Sequence, residues 1–251
     1  MAELFIELFS EEIPAKLQID ARQKIKQIIN DKLNKKEISF RSSKSFSTPN
    51  RLAFVIDGIP EKIEQKKKTI KGPRTDAPEA ALEGFIKSNF LSKSDIYKKN
   101  IEKGEFYFAT TKPKIIDVLE ELQSIIPEAF QTYSWKKSMK WSDYNLNWAR
   151  PLKLIVALLN NKIINFNFFH LKSGNLTLIN GSNENRIKKV NSFKSYLSIL
   201  KSQNIILDQE KRKNIIVRKM NNICNARKLK KNFNEKLFEE VVNLVEKPNV
   251  I

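Results

Sequence analysis

An α+β fold is predicted, with mixed or antiparallel sheets, packed helices and a basic helical segment at the end. Three observations lead to it. Short apolar runs with alternating or β-rich residues recur through the first 180 residues, interleaved with stretches of three- and four-residue apolar spacing. After residue 181 only the helical spacing remains. The chain's 251 residues, 41% of them hydrophobic, are enough to fill a real core.

Leu4, Ile6 and Leu8 alternate with Glu3 and Glu7, the period of a strand with one face buried. Pro14 opens a helix over 15–33, whose Leu17, Ala21, Ile25, Ile28, Ile29 and Leu33 form one stripe. A second strand, 51–57, follows the turn residues Thr48, Pro49 and Asn50 and stops at Gly58 and Pro60. Asp76 is placed to cap a helix, with Pro78 in the first turn, Glu79 three residues on, and Ala81, Leu82, Phe85 and Ile86 inward. A strand around Phe106, Tyr107 and Phe108 precedes a helix over 114–130. Residues 154–159 and 163–169 form a hairpin about Asn160, Asn161 and Lys162. Helices follow at 193–202, from a cap at Asp208, and at 235–245. The expected division is an α+β lobe, 1–180, and a basic helical segment, 181–251, incomplete at its C-terminal end. Trp135, Trp141 and Trp148 are expected at one junction between the helical layer and the hairpin, with Met139 beside them and packing as their role.

The net charge of +18 attracts polyanions, nucleic acid first among them. Most of it is Lys, 37 against nine Arg, which AT-rich codon usage also produces. The distribution is uneven: residues 186–231 hold 14 Lys or Arg against two acids, Asp208 and Glu210. One cysteine, Cys224, and one histidine, His170, leave no internal disulfide and no His-rich metal site. The sequence contains neither a GxxxxGK[ST] phosphate loop nor GxGxxG nor GxSxG. Glu11 and Glu12 are read as charges offsetting a helix dipole. A first stretch that is acidic and the lack of roughly 20 consecutive apolar residues give a cytoplasmic, non-membrane expectation. The residues alone describe a basic binding domain.

Longer strings add to this reading. ELFSEEIPA at 7–15, TPNRLA at 48–53, KGPRTDAPEAALEGFIKSN at 71–89, KGEFYFA at 103–109, KSMKW at 137–141, WARPLKLIVALL at 148–159 and LFEEVVNLVEKPNVI at 237–251 resemble, in order, the bacterial glycyl-tRNA synthetase β subunit. Residues 173–187 depart from the family's TxGHRF-like string, and Lys247 stands where the family carries Trp. The resemblance covers about the first third of the family's length, so the chain is expected to be a partial, split or degraded β subunit. What it implies is a subunit of an α2β2 ligase, joined by a second β subunit. The α subunit uses ATP to activate glycine, this chain binds no cofactor, and its part is binding and positioning the tRNA for glycine. The alternative is a non-catalytic basic RNA-binding module. Candidates for tRNA or subunit contact, inside the family-like strings, are Lys71, Arg74, Lys137, Lys140 and Arg150. Secondary RNA-attracting candidates are Lys211, Arg212, Lys213, Arg218 and Lys219; no residue is assigned a catalytic or metal-binding role.

Overall fold

The computed structural model describes residues 1–65, 69–89, 91–101, 104–110, 114–141, 143, 145–179, 187–230, 232 and 234–251. The expected division near 180, the divergent loop at 180–186 and Lys103 of one family-like string lie outside them. The fold is α+β, as predicted. By internal contacts it forms two units: Met1–Glu61 with Val118–Ile251, and Lys62–Asp117. The helices after residue 190 therefore share a unit with the main sheet.

In chain order the elements are β1 (Ala2–Ser10), α1 (Ala15–Lys35), β2 (Ser42–Thr48), β3 (Arg51–Ile59), β4 (Lys62–Gln65), β5 (Thr69–Arg74), α2 (Glu79–Ser88), β6 (Ile96–Ile101), β7 (Gly104–Thr110), β8 (Lys114–Asp117) and α3 (Val118–Thr132). Then come β9 (Met139–Lys140), β10 (Asn147–Trp148), β11 (Leu152–Leu159), β12 (Lys162–Ile163), β13 (Asn167–Phe168), β14 (Leu171–Gly174), β15 (Leu176–Leu178), β16 (Ile187–Lys189), α4 (Phe193–Ser202), α5 (Gln209–Ala226) and α6 (Glu235–Leu244).

The larger unit is built on a sheet ordered β13-β14-β11-β1-β3-β2, with β12 also paired to β11. β1 is central, antiparallel to both β3 and β11, and is buried on both faces rather than one. On the face of Phe5, the residues Ala53, Val55, Val156 and Leu158 pack with Tyr196 and Leu200 of α4 and with Ile205 and Leu207. α1 packs against β2, β3 and α3, burying Ala21, Ile25, Ile29 and Leu33 from the predicted stripe. The expected hairpin is shorter than its apolar runs: β11 and β12 pair only at Leu158–Ile163 and Leu159–Lys162. Beyond it, Phe168 turns into the core, and β14 returns parallel to β11.

In the smaller unit β4 pairs with β8, and β5-β7-β6 make an antiparallel sheet. Two sequence expectations change here. Pro78, not Asp76, is the N-cap of α2, while Asp76 forms an ion pair with Arg74 at 3.4 Å. Lys114–Asp117 is strand, so the helix expected from residue 114 begins at Val118. The β-branched pair Ile115 and Ile116 favours extended backbone, and pairing with β4 decides it.

Candidate functional site

The end of β1 shapes the main polar groove. Its pairing with β11 slips between Phe9 and Ser10, and the chain turns out of the sheet. Ser10 N donates to Asn50 O at 2.9 Å, and Asn50 Nδ2 donates back to Ser10 O at 3.1 Å. Glu11 N donates to Pro151 O at 3.0 Å, and Ile13 N to Pro49 O at 2.7 Å. The loop leading into α1 is thus fixed by backbone bonds to both neighbouring strand ends. Around it opens a cavity of about 520 Å³ lined by Phe9, Ser10, Glu11, Glu12, Asn50, Arg51, Arg150, Lys153 and Glu246.

Two acids of this groove, Glu11 and Glu246, are held in ion pairs. Glu11 is bridged by Lys153, and Arg150 Nε donates to Glu12 O at 3.1 Å. Glu11 and Glu12 both lie just before α1, whose first turn carries no acid. Beneath the groove Arg51, 1% exposed, binds Glu246, donates to Leu178 O, and stands 3.3 Å from Glu7 Oε1. Glu7 is fully buried, and Tyr196 donates its hydroxyl proton to Glu7 Oε1 at 2.6 Å. Burial pushes the Glu7 carboxyl up, against the pull of Arg51, while the acidic neighbours keep the Arg51 guanidinium charged despite its burial. Two carboxylates around one guanidinium leave an excess negative charge, and Glu246 adds to the upward push of burial on the Glu7 carboxyl.

The sequence-named residues fall in three places. Arg150 is in the groove. Lys137 and Lys140 are exposed on the α3–β9 turn and β9. Lys71 and Arg74 lie on β5 of the smaller unit, where Lys71 Nζ sits 3.5 Å over the centroid of Phe106. On α5, Lys211 and Arg218 are exposed, and Lys213 and Lys219 half-buried. Arg212 faces the opposite way: it is fully buried and donates to Val242 O at 3.0 Å, Ile206 O at 2.7 Å, Leu207 O at 2.8 Å and Ser47 O at 2.8 Å. Burial lowers its pKa to about 10, and its donors are taken by backbone, so it offers nothing to phosphate.

Trp135 and Trp148 meet edge to face at 5.1 Å, and Trp141 Nε1 donates to Trp148 O at 2.9 Å. The expected junction is present, although Met139 is exposed. Sequence reading did not single out Glu7, Arg51, Lys153 or Glu246. A signal for Glu7 was available, since a carboxylate within the run LFIELF has apolar residues on both sides of the strand to contend with.

Comparison with known proteins gives this geometry a context. The family model described as glycyl-tRNA synthetase beta subunit matches residues 4–251. This chain belongs to that family. Similar curated relatives are the glycine--tRNA ligase beta subunits of Rickettsia bellii, 37% identical over 251 residues, and of Rickettsia felis, 35% identical over 253 residues. Each alignment takes in 100% of this chain and 38% of the relative, so the chain spans under two-fifths of their length. Four of the strings that resemble the family meet at the groove. They supply Glu11 and Glu12; Asn50 and Arg51; Arg150 and Lys153; and Glu246.

Proposed function

We propose that this chain is the tRNA-handling part of a glycine–tRNA ligase β subunit. It acts in the cytoplasm with an α subunit and a second β subunit in an α2β2 assembly. The α subunit uses ATP to activate glycine, and this chain holds the tRNA for glycine so that its terminal hydroxyl reaches the activated amino acid. The contribution is one of proximity and orientation. The observation that carries this reading is the convergence of four family-like strings on one rigidly stitched groove. Two of its acids, Glu11 and Glu246, are engaged by Lys153 and by Arg51, an arrangement suited to fixing charges in position rather than to moving protons.

The test is glycylation of the tRNA by the α subunit with and without this chain. Addition of the chain is expected to raise charging at least tenfold, and the chain alone is expected to show no glycine-dependent exchange of pyrophosphate into ATP. The double variant Arg150→Ala with Lys153→Ala is expected to reduce charging while the exchange catalysed by the α subunit is retained. Exchange by the chain alone, or charging indifferent to its addition, overturns the proposal. A basic RNA-binding module working without the ligase is the second reading. It draws on exposed Lys211 and Arg218, and it would show RNA binding with no gain in charging.

A further inference from the structure

The smaller unit carries a surface that the groove does not explain. In the sheet β5-β7-β6, the central strand places Phe106 and Phe108 on one face, two residues and roughly 7 Å apart. Phe106 is paired with Arg74 on one side and Lys99 on the other, and Phe108 with Lys71 and Tyr97. Side-chain contacts fix the shared face: Lys71 Nζ at 3.5 Å and Arg74 Cζ at 5.9 Å from the Phe106 centroid, Lys99 Nζ at 5.9 Å from that of Phe108, and Tyr97 and Phe108 stacked at 6.1 Å with 24° between planes. α2 packs on the opposite side, because a Cβ at Gly72 would lie 2.9 Å from the Phe85 ring. Tyr97 is 43% exposed, and Lys71, Arg74 and Lys99 are all exposed.

This combination differs from a core in one respect. Core rings are covered by apolar atoms, whereas these lie beneath exposed cationic side chains. An ammonium lying on a ring face is replaceable by a nucleobase, and on leaving the ring it reaches the adjacent phosphate. Gly104 helps to keep the arrangement open: at φ +112°, it lies where a Cβ would come 3.0 Å from Arg74 Nη2. We propose that the Phe106, Phe108 and Tyr97 face of this sheet is a stacking platform for unpaired RNA nucleotides, with Lys71, Arg74 and Lys99 holding the backbone. Rings can stack on bases only where those bases are not already stacked within a duplex, so the face selects single-stranded over double-stranded RNA. This inference rests on the reading that the chain handles RNA, and it adds which part of the chain does so and which form of RNA it takes.

The experiment is binding of the whole 251-residue chain to a fluorescein-labelled ten-nucleotide oligouridylate and to a ten-base-pair RNA duplex, each against salt. Phe106→Leu with Phe108→Leu is expected to weaken single-strand binding about tenfold or more with the salt slope unchanged and duplex binding unaltered. Lys71→Ala with Arg74→Ala is expected to flatten the slope by about two units or slightly less. Tyr97→Leu changes an exposed side chain and guards against a folding artefact; a several-fold loss for the single strand is expected. Equal wild-type affinity for both RNAs, or Tyr97→Leu and the natively folded Phe pair binding within twofold of wild type, overturns the platform. If glycylation with the α subunit persists in that event, only this face is lost; if the chain also fails to raise charging, the functional reading falls with it.

Discussion

Glu7 shows how much one residue can conceal. Its place in an alternating strand put it on the outward side, yet the side chain is fully buried against Arg51 and Tyr196. Alternation tells which residues share a face. It does not tell whether a second layer covers that face, and here α4 does. The raised Glu7 pKa has a consequence for stability with a defined sign. A carboxyl that binds its proton more tightly when folded contributes stability in acid, and that contribution is lost as pH rises above the ordinary value of 4.5 toward the folded value. Glu7→Gln imitates the protonated carboxyl. Urea midpoints measured from pH 4.5 upward should therefore fall less steeply in Glu7→Gln than in the wild type. A slope equal to the wild type's would mean that Glu7 does not hold the proton. Removing the other partner is costlier: Arg51→Leu strands Glu7 and Glu246, and a loss of about 3–5 kcal/mol is expected by denaturant titration.

Among the elements, α5 separates charge used for structure from charge left for a partner. Lys211, Arg212 and Lys213 all stand among the RNA-attracting candidates of the sequence. Consecutive helical residues point about 100° apart, however, and only Arg212 enters the core. There it ties α5 to Val242, near the end of α6, and to Ser47 of β2, through their backbone carbonyls. Arg212→Met should cost about 2–5 kcal/mol, because it leaves buried acceptors unpaired. Lys211→Ala with Lys213→Ala should leave the unfolding midpoint nearly unchanged and flatten the salt dependence of RNA binding by roughly one to two units. The opposite pattern, a stable Arg212→Met and an unstable lysine pair, would contradict this division of roles. Element type was largely legible from periodicity, and the expected cap at Asp208 is present, its side chain accepting from the first turn of α5. Boundaries set by tertiary pairing were not. In Lys114–Asp117 the local lean of Ile115 and Ile116 toward extended backbone is decided only by pairing with β4, some fifty residues earlier.

For the molecule as a whole, the larger unit closes over the point where the smaller one is inserted. Val118 N donates to Glu61 O at 3.0 Å, and within the smaller unit β4 and β8 begin and end as a paired ribbon. An excursion of 56 residues that leaves and returns at one hydrogen-bonded position places little constraint on its host. Replacing Lys62–Asp117 by a short Gly-Ser turn should leave a single cooperative unfolding transition and native far-ultraviolet dichroism for the remainder. Loss of that transition would show that the host sheet depends on its insert. This organisation escaped the sequence reading, which looked for a boundary in a change of texture near 180. Texture records local helical or strand preference, whereas the unit boundary is set by which distant strands pair, above all β1 with β11.

That pairing also bears on how the protein is made. β1 emerges from the ribosome about 150 residues ahead of its partner β11, so at about 5–20 residues per second an apolar strand waits roughly eight to thirty seconds with one edge unpaired. β3 arrives early and guards the other edge. During synthesis the open edge is a template for any extended chain nearby, and a chaperone held on β1 until β11 is in place would cover it.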